Sequence, residues 1–253
     1  MSDWDAERYH RLSDPQQSWG LTVLDRLAPV SGERILDIGC GTARLTSGLI
    51  ARVPSVKAAG LDRSWTMLKE ARRRGLPGIG FVQAEALRLP FMPVFDAVFS
   101  TATFHWVHDH RLLFAEMYRV LRRGGRLVSQ AGGGPNLARL YERSAVLARQ
   151  PEFAPYFEGW VDPWTFASVD ETRMRMKETG FTDIEVWLEP AATTFPDEKA
   201  FGEFVSTVCL RHHLDRLPSE VRPEYLARVI DLAKADDPAL TLDYWRLNID
   251  ARK

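Results

Sequence analysis

Two sets of side chains in this sequence have the type and spacing to do chemistry. The first sets carboxylates against glycines: Gly39 and Gly41 stand two apart in Asp37-Ile38-Gly39-Cys40-Gly41-Thr42, and Asp62 follows about 20 residues after Gly41, the spacing at which a strand-turn-helix nucleotide site presents an acid to ribose hydroxyls. A carboxylate suits that task because it accepts from two neighbouring hydroxyls at once. Glycines let a ligand approach the main chain closely, and a helix opening just after them offers unpaired N–H groups. A plainer reading stands beside this one, in which the turn simply needs its glycines and Asp62 caps the helix that begins near Ser64. The second set is His105, Trp106 and Arg211. An imidazole either takes a proton from a reacting group or, neutral, orients one by hydrogen bonding. An indole supplies a flat apolar wall, or ordinary packing. A guanidinium binds a carboxylate through two parallel hydrogen bonds, although an arginine near a helix end is also ordinary surface charge.

The apolar spacing supplies elements to hold these residues. A helix starts at Asp14-Pro15 and runs through Leu27, and strands are predicted at 34–38, 56–61, 79–83, 95–100 and 126–131. Helices at 42–52, from Ser64 and at 111–121 fall between them, the last closed by Arg122-Arg123-Gly124-Gly125. This alternation predicts a parallel sheet with helices on both faces and ligands at the carboxyl ends of the strands, where Gly39, Asp62, Glu85 and Ser100 all fall. Past Gly132-Gly133-Gly134-Pro135 the alternation loosens into helices near 136–148, 170–179, 198–211 and 219–234 and strands at 182–188 and 240–249.

Composition narrows the functions. The 253 residues are 45% hydrophobic and 26% charged, with 33 basic and 34 acidic side chains, so no net field draws the protein to nucleic acid or an anionic membrane. Cys40 and Cys209 are too few and too isolated for a disulfide framework or a metal knuckle, and the amino-terminal residues lack the apolar core of a signal peptide. The expectation is a cytoplasmic protein with no metal, nucleic-acid partner or membrane span. Arg44 stands where a dinucleotide dehydrogenase has its third glycine, and no Gly-Lys-Ser or Gly-Lys-Thr of a Walker loop occurs.

Taken together, Asp37-Ile38-Gly39-Cys40-Gly41-Thr42, Asp62, Glu85, Phe95-Asp96 and Leu121-Arg122-Arg123-Gly124-Gly125 resemble the class I S-adenosylmethionine-dependent methyltransferases over roughly residues 20–132 and the late strand pair. The resemblance implies a Rossmann-like seven-stranded, mostly parallel α/β sheet whose last strand is antiparallel. It implies one domain over 1–253, with 20–132 as cofactor-binding core and 1–19 and 196–235 as a helical cap. It assigns Asp37, Gly39 and Gly41 to the methionine part of S-adenosyl-L-methionine, Asp62 to the ribose hydroxyls and Glu85 to the adenine amino group, with Arg63, Ala86 and Ser100 as further cofactor-binding residues and S-adenosyl-L-homocysteine as product. Glu85 replaces the commoner Asp, and Ala43 a common third glycine.

Within the family the chain is most similar to trans-aconitate methyltransferases and related enzymes that esterify small acids, through Trp4 and Tyr9, Phe104-His105-Trp106, Leu210-Arg211 and Tyr244-Trp245-Arg246-Leu247, with His105 where those enzymes tend to have Gln. That similarity implies a small-molecule substrate touched by Tyr9, His105, Trp106 and Arg211, with His105 and Trp106 at the reacting atoms. A carboxylate oxygen is the first acceptor. A hydroxyl, amine or carbon acceptor with His105 as base is the alternative, and a non-catalytic cofactor-binding protein the rival from another class. A nucleic-acid methyltransferase would carry Asn-Pro-Pro-Tyr or Asp-Pro-Pro-Tyr after the fourth strand, where this chain has Ser100-Thr101-Ala102-Thr103.

Overall fold

A computed structural model describes residues 14–253; Trp4, Tyr9 and the 1–13 part of the expected cap lie outside the described residues. The chain forms two compact units. The first opens with α1 (Asp14–Leu27), β1 (Arg34–Ile38), α2 (Arg44–Arg52), β2 (Lys57–Asp62), α3 (Trp65–Arg73), β3 (Ile79–Gln83), β4 (Phe95–Thr101), a 3₁₀ turn at Phe104–Trp106, α4 (His110–Val120) and β5 (Leu121–Gly132). The chain leaves for the second unit with α5 (Ala138–Leu147) and α6 (Ala154–Phe157) and returns for α7 (Val169–Thr179) and β6 (Thr182–Pro190). It leaves again for β7 (Thr193–Thr194), α8 (Glu198–Phe204), a π-helical turn at Val205–Cys209, α9 (Arg211–Leu214), α10 (Arg222–Lys234) and β8 (Thr241–Leu242), and closes on β9 (Trp245–Arg252).

The first unit is a seven-stranded sheet in the order β3-β2-β1-β4-β5-β9-β6. β1 to β5 run parallel, and β9 lies antiparallel to β5. Alternation along each strand sends side chains to opposite faces. Ile35, Ala97, Phe99 and Val128 pack under α1 and α2 with Val23, Leu24, Leu27 and Leu49. Leu36, Ile38, Val98, Leu127, Leu247 and Ile249 pack on the other face with Leu113, Phe114 and Met117 of α4 and Met176 of α7. Helices cover both faces, as expected of strands buried on both sides.

In the second unit Tyr225 of α10 is fully buried, donates its hydroxyl to Ser144 O at 2.9 Å and meets Phe153 edge-on. β7 and β8 form a separate antiparallel pair.

Three local expectations are corrected. Arg122-Arg123-Gly124-Gly125 does not end a helix: β5 already begins at Leu121, paired with Phe95, and passes through an irregularity before Ala97 meets Arg126. The two glycines pair with the carboxyl-terminal Lys253, whose backbone exchanges 2.9 Å hydrogen bonds with Gly124 and Gly125. The single helix at 198–211 is broken by the π-helical turn, with Leu210 N–H reaching back to Val205 O, a shift that buries Leu210 and Cys209 together with Phe204 and Val205. The last strand is two strands, interrupted at Asp243 and Tyr244, whose backbone carbonyls accept instead from Leu137 and Ala191.

Candidate active site

The glycine turn is built at the carboxyl ends of β1 and β2. Gly39 and Cys40 donate backbone N–H bonds to Leu61 O at 2.7 and 3.0 Å, which fastens the turn to β2. Gly39 has φ +74, and a Cβ there would lie 2.0 Å from Thr103 Oγ1, so this position admits only glycine. Gly41 has φ +53 with nothing among the described residues within 4 Å of a built Cβ. Asp62 works inside the turn: Oδ2 accepts from Gly41 N–H and Oδ1 from Ser64 N–H, both at 2.8 Å. The cap of α3 is Ser64, whose hydroxyl accepts from Met67 N–H. Each carboxylate oxygen has a further lone pair, so holding the turn and accepting from a ligand are compatible.

Asp37, in register with Gly60 and Phe99, is only 2% exposed and accepts from Thr46 Oγ1 of α2 at 2.6 Å. Burial above all raises its pKa to about 7; the Thr46 hydrogen bond opposes the rise and the charge of Asp62 adds to it. Among the described residues no basic side chain forms an ion pair with Asp37. Ser100 is buried and donates its hydroxyl to Ile38 O at 2.6 Å, tying β4 to β1. Arg63 and Glu85 are exposed and Ala86 is half-buried; Arg63 O accepts from Gln83 Nε2, and Ala84 N–H donates to Asp62 O, so the β2 and β3 ends are held side by side.

The 3₁₀ turn after β4 carries His105 and Trp106. Gly132 N–H donates to His105 Nδ1 at 3.2 Å. A backbone N–H can only donate, so Nδ1 is the acceptor and the neutral ring carries its proton on Nε2. Burial first, then the charges of Arg246 and His110, lowers the His105 pKa to about 3. The imidazole is therefore a hydrogen-bond donor at neutral pH. His105 O accepts from Thr165 N–H at 2.7 Å, and Phe166 and Trp164 pack against His105 and Trp106 with ring centroids 5.9 and 6.1 Å apart.

Trp164 and Phe166 are neighbours of the 3₁₀ turn that sequence reasoning passed over; the signal was a Pro- and aromatic-rich stretch over 151–164, which ends at Trp164 and stops short of Phe166. Arg211, the first residue of α9, lies in the second unit, where its Nη2 donates to His212 Nε2 at 3.5 Å. Tyr9 lies outside the described residues. A separate cavity of about 680 Å³, lined by residues including Tyr141, Phe157, Trp160, Asp162 and His213, lies wholly in the second unit and includes none of the sequence-predicted site residues. Among the described residues no His, Cys, Asp and Glu side chains cluster to hold a metal, and no helix is long and apolar enough to cross a membrane.

A seven-stranded sheet with an antiparallel seventh strand, a glycine turn after β1 and acids at the ends of β1, β2 and β3 define a class, and the comparisons agree: the chain belongs to the S-adenosylmethionine-dependent methyltransferases of class I. Residues 36–129 match the methyltransferase domain family. More particularly, it is 32% identical over 274 aligned positions to the trans-aconitate 2-methyltransferase of Methylobacterium nodulans, covering 100% of this chain and 99% of that one. Among solved structures, phosphoethanolamine N-methyltransferase 2 of Haemonchus contortus matches with a TM-score of 0.64 at 20% identity, over 98% of this chain and 56% of that one. The YcgJ protein of Bacillus subtilis matches with a TM-score of 0.64 at 19% identity, over 94% and 98%. These two likenesses concern the fold.

The residues present fit the cofactor. Asp37 is a buried carboxyl that a cation would relieve, and none of the described residues fills the space beside the Gly41 main chain, where a ligand would lie.

Proposed function

We propose that the enzyme transfers the methyl group of S-adenosylmethionine to a carboxylate oxygen of a small acid. The observation that carries this reading is the Gly132 N–H on His105 Nδ1. With Nδ1 occupied and the proton on Nε2, the imidazole has no lone pair for a substrate proton. An acceptor served by this residue must arrive ionised, as a carboxylate does at neutral pH, whereas an alcohol or protonated amine needs a base. The name of the relatives, trans-aconitate 2-methyltransferase, supports the same acceptor class.

In this reading Asp37, Gly39 and Gly41 hold the methionine part of the cofactor, Asp62 and Arg63 the ribose, and Glu85 and Ala86 the adenine. Ser100 keeps the floor between them rigid. Bound there, the cofactor supplies a methyl group carried on a sulfonium and already activated for transfer. His105 orients the acceptor by donating from Nε2, while Trp106, Trp164 and Phe166 keep water from that side. Tyr9 and Arg211 are further substrate contacts, and residues 196–235 act with the amino-terminal segment as a cap.

The test supplies S-adenosylmethionine with trans-aconitate, simpler mono- and dicarboxylic acids, an alcohol and an amine, and follows the gain of one methyl by mass. An acid should gain a methyl that alkali removes. His105→Gln should keep turnover within about tenfold, since Gln also donates, and with cofactor and acceptor saturating the rate should stay flat from about pH 5 to 8. Methylation confined to the alcohol or amine, or a loss of about 10²-fold in His105→Gln together with loss of an acidic limb, would overturn the acid reading.

A further inference from the structure

We infer that Arg246 grips a carboxylate of the methyl acceptor, an inference that rests on the acceptor being an acid and names the residue that selects it. Arg246 stands at the start of β9, in register with Gly132, the residue whose N–H holds His105. Because β9 runs antiparallel to β5, that start lies at the carboxyl end of β5, on the sheet edge that also carries Gly39, Asp62 and Ser100.

The strand's alternation settles its face. Leu247, Ile249 and Ala251 enter the core with α4 and α7, so Arg246 and Asn248 face the α1 side, where Arg26 Nη1 donates to Asn248 Oδ1 at 2.8 Å. On that side Trp19 of α1 lies under the Arg246 guanidinium, 4.6 Å from ring centroid to Cζ.

Three physical features suit Arg246 to this task. It is 3% exposed, and a guanidinium stays charged even there, so any anion it meets is met away from bulk water, where charge-assisted bonds are strongest. The Trp19 face fixes the plane of its fork, which removes part of the entropy that a free arginine loses on binding. Its charge also reaches His105, where it follows burial among the causes that keep the ring neutral. One guanidinium and one imidazole N–H beside Gly132 would hold two carboxyl groups of one molecule, one gripped by Arg246 and another presented for methylation.

The experiment compares wild type, Arg246→Gln and Arg246→Lys. It uses trans-aconitate as methyl acceptor and the saturated tricarboxylate tricarballylate as a non-reacting probe, whose binding is followed by calorimetry with S-adenosylhomocysteine present. In Arg246→Gln the KM for trans-aconitate should rise on the order of 30-fold, the loss of one charged hydrogen-bonding partner. Tricarballylate binding should weaken equally, while kcat changes less and cofactor affinity stays as in wild type. Arg246→Lys keeps the charge but not the fork and should sit between the two, which also serves if the Gln variant fails to fold. Unchanged KM and tricarballylate affinity in the Lys and Gln variants, with a lowered Tm, would overturn the inference and leave Arg246 as a strut on Trp19. Wild type that binds neither acid would instead remove the acid reading on which the inference stands.

Discussion

Asp37 shows how much a single side chain's surroundings add to its identity. The sequence marks it as an acid two residues before a glycine turn, but not that it lies between β2 and β4 with Thr46 as its hydrogen-bond partner. Burial is what lifts its pKa from 3.8 to about 7. The sign follows from the unfolded chain, which ionises first as pH rises. Asp37's contribution to the stability of the ligand-free protein is complete below about pH 4 and is lost as pH climbs through about 7. A cation set against the carboxyl favours its ionised form and reverses the shift. Cofactor binding at pH 6 should therefore release close to one proton, and at pH 8 almost none, measured by calorimetry in two buffers of different ionisation enthalpy. His105, with its pKa near 3, adds nothing in this range. Asp37→Asn should abolish the release, and wild type showing none at pH 6 would mean that no cation reaches Asp37.

At the scale of elements, the β1–turn–α2 unit was legible because its requirements are local. Gly39 and Gly41 take positive φ in a turn bounded by an apolar run and a helix. Ala43 takes φ +60 as well, which is the physical reason a glycine suits that position. Three substitutions should separate packing from ligand space. Gly39→Ala drives a Cβ into Thr103 and adds backbone strain, so it should lower stability by about 2 kcal/mol or more. Gly41→Ala meets no atom of the described residues, so it should cost only about 1 kcal/mol yet weaken cofactor binding more than its Tm suggests. Ala43→Gly should raise stability by up to about 1 kcal/mol. Thermal unfolding with and without S-adenosylhomocysteine reads all three, and equal cofactor affinity in Gly41→Ala and wild type would count against a ligand on that side of the loop. The β5 start, the π-helical turn and the split last strand were not legible, because each is decided by distant partners: Lys253 for Gly124 and Gly125, Tyr244 Oη beside Cys209 Sγ, and Leu137 for Asp243. The same holds for Phe166 and Trp164, which meet His105 and Trp106 where the intervening residue 165 hydrogen-bonds to His105.

For the whole molecule, the break at Gly132-Gly133-Gly134-Pro135 announced a change of architecture, and the strands expected at 182–188 and 240–249 announced that the chain returns to the sheet, leaves again after β6 and returns once more at β9. The second unit is thus two excursions, joined to the first unit at Gly134–Pro135, Pro163–Trp164, Glu189–Pro190 and Trp245–Arg246. Two of these junctions carry residues of the proposed acceptor site, Trp164 and Arg246, both of the first unit, so binding of an acid should be felt there. Hydrogen exchange can follow this in sequence, since local opening slows where a ligand adds contacts. S-adenosylhomocysteine alone should slow exchange in the 38–44 turn and at 61–64, and leave 196–235 nearly unchanged. Adding tricarballylate should then slow 164–166, 244–246 and, if residues 196–235 close over bound ligands, that segment as well. Protection at 164–166 and 244–246 without any at 196–235 would keep the acceptor site and remove the cap. Protection at 196–235 by the cofactor alone would mean that the segment responds to the cofactor and not to the acid, and Arg211 would then lose its role as a substrate contact.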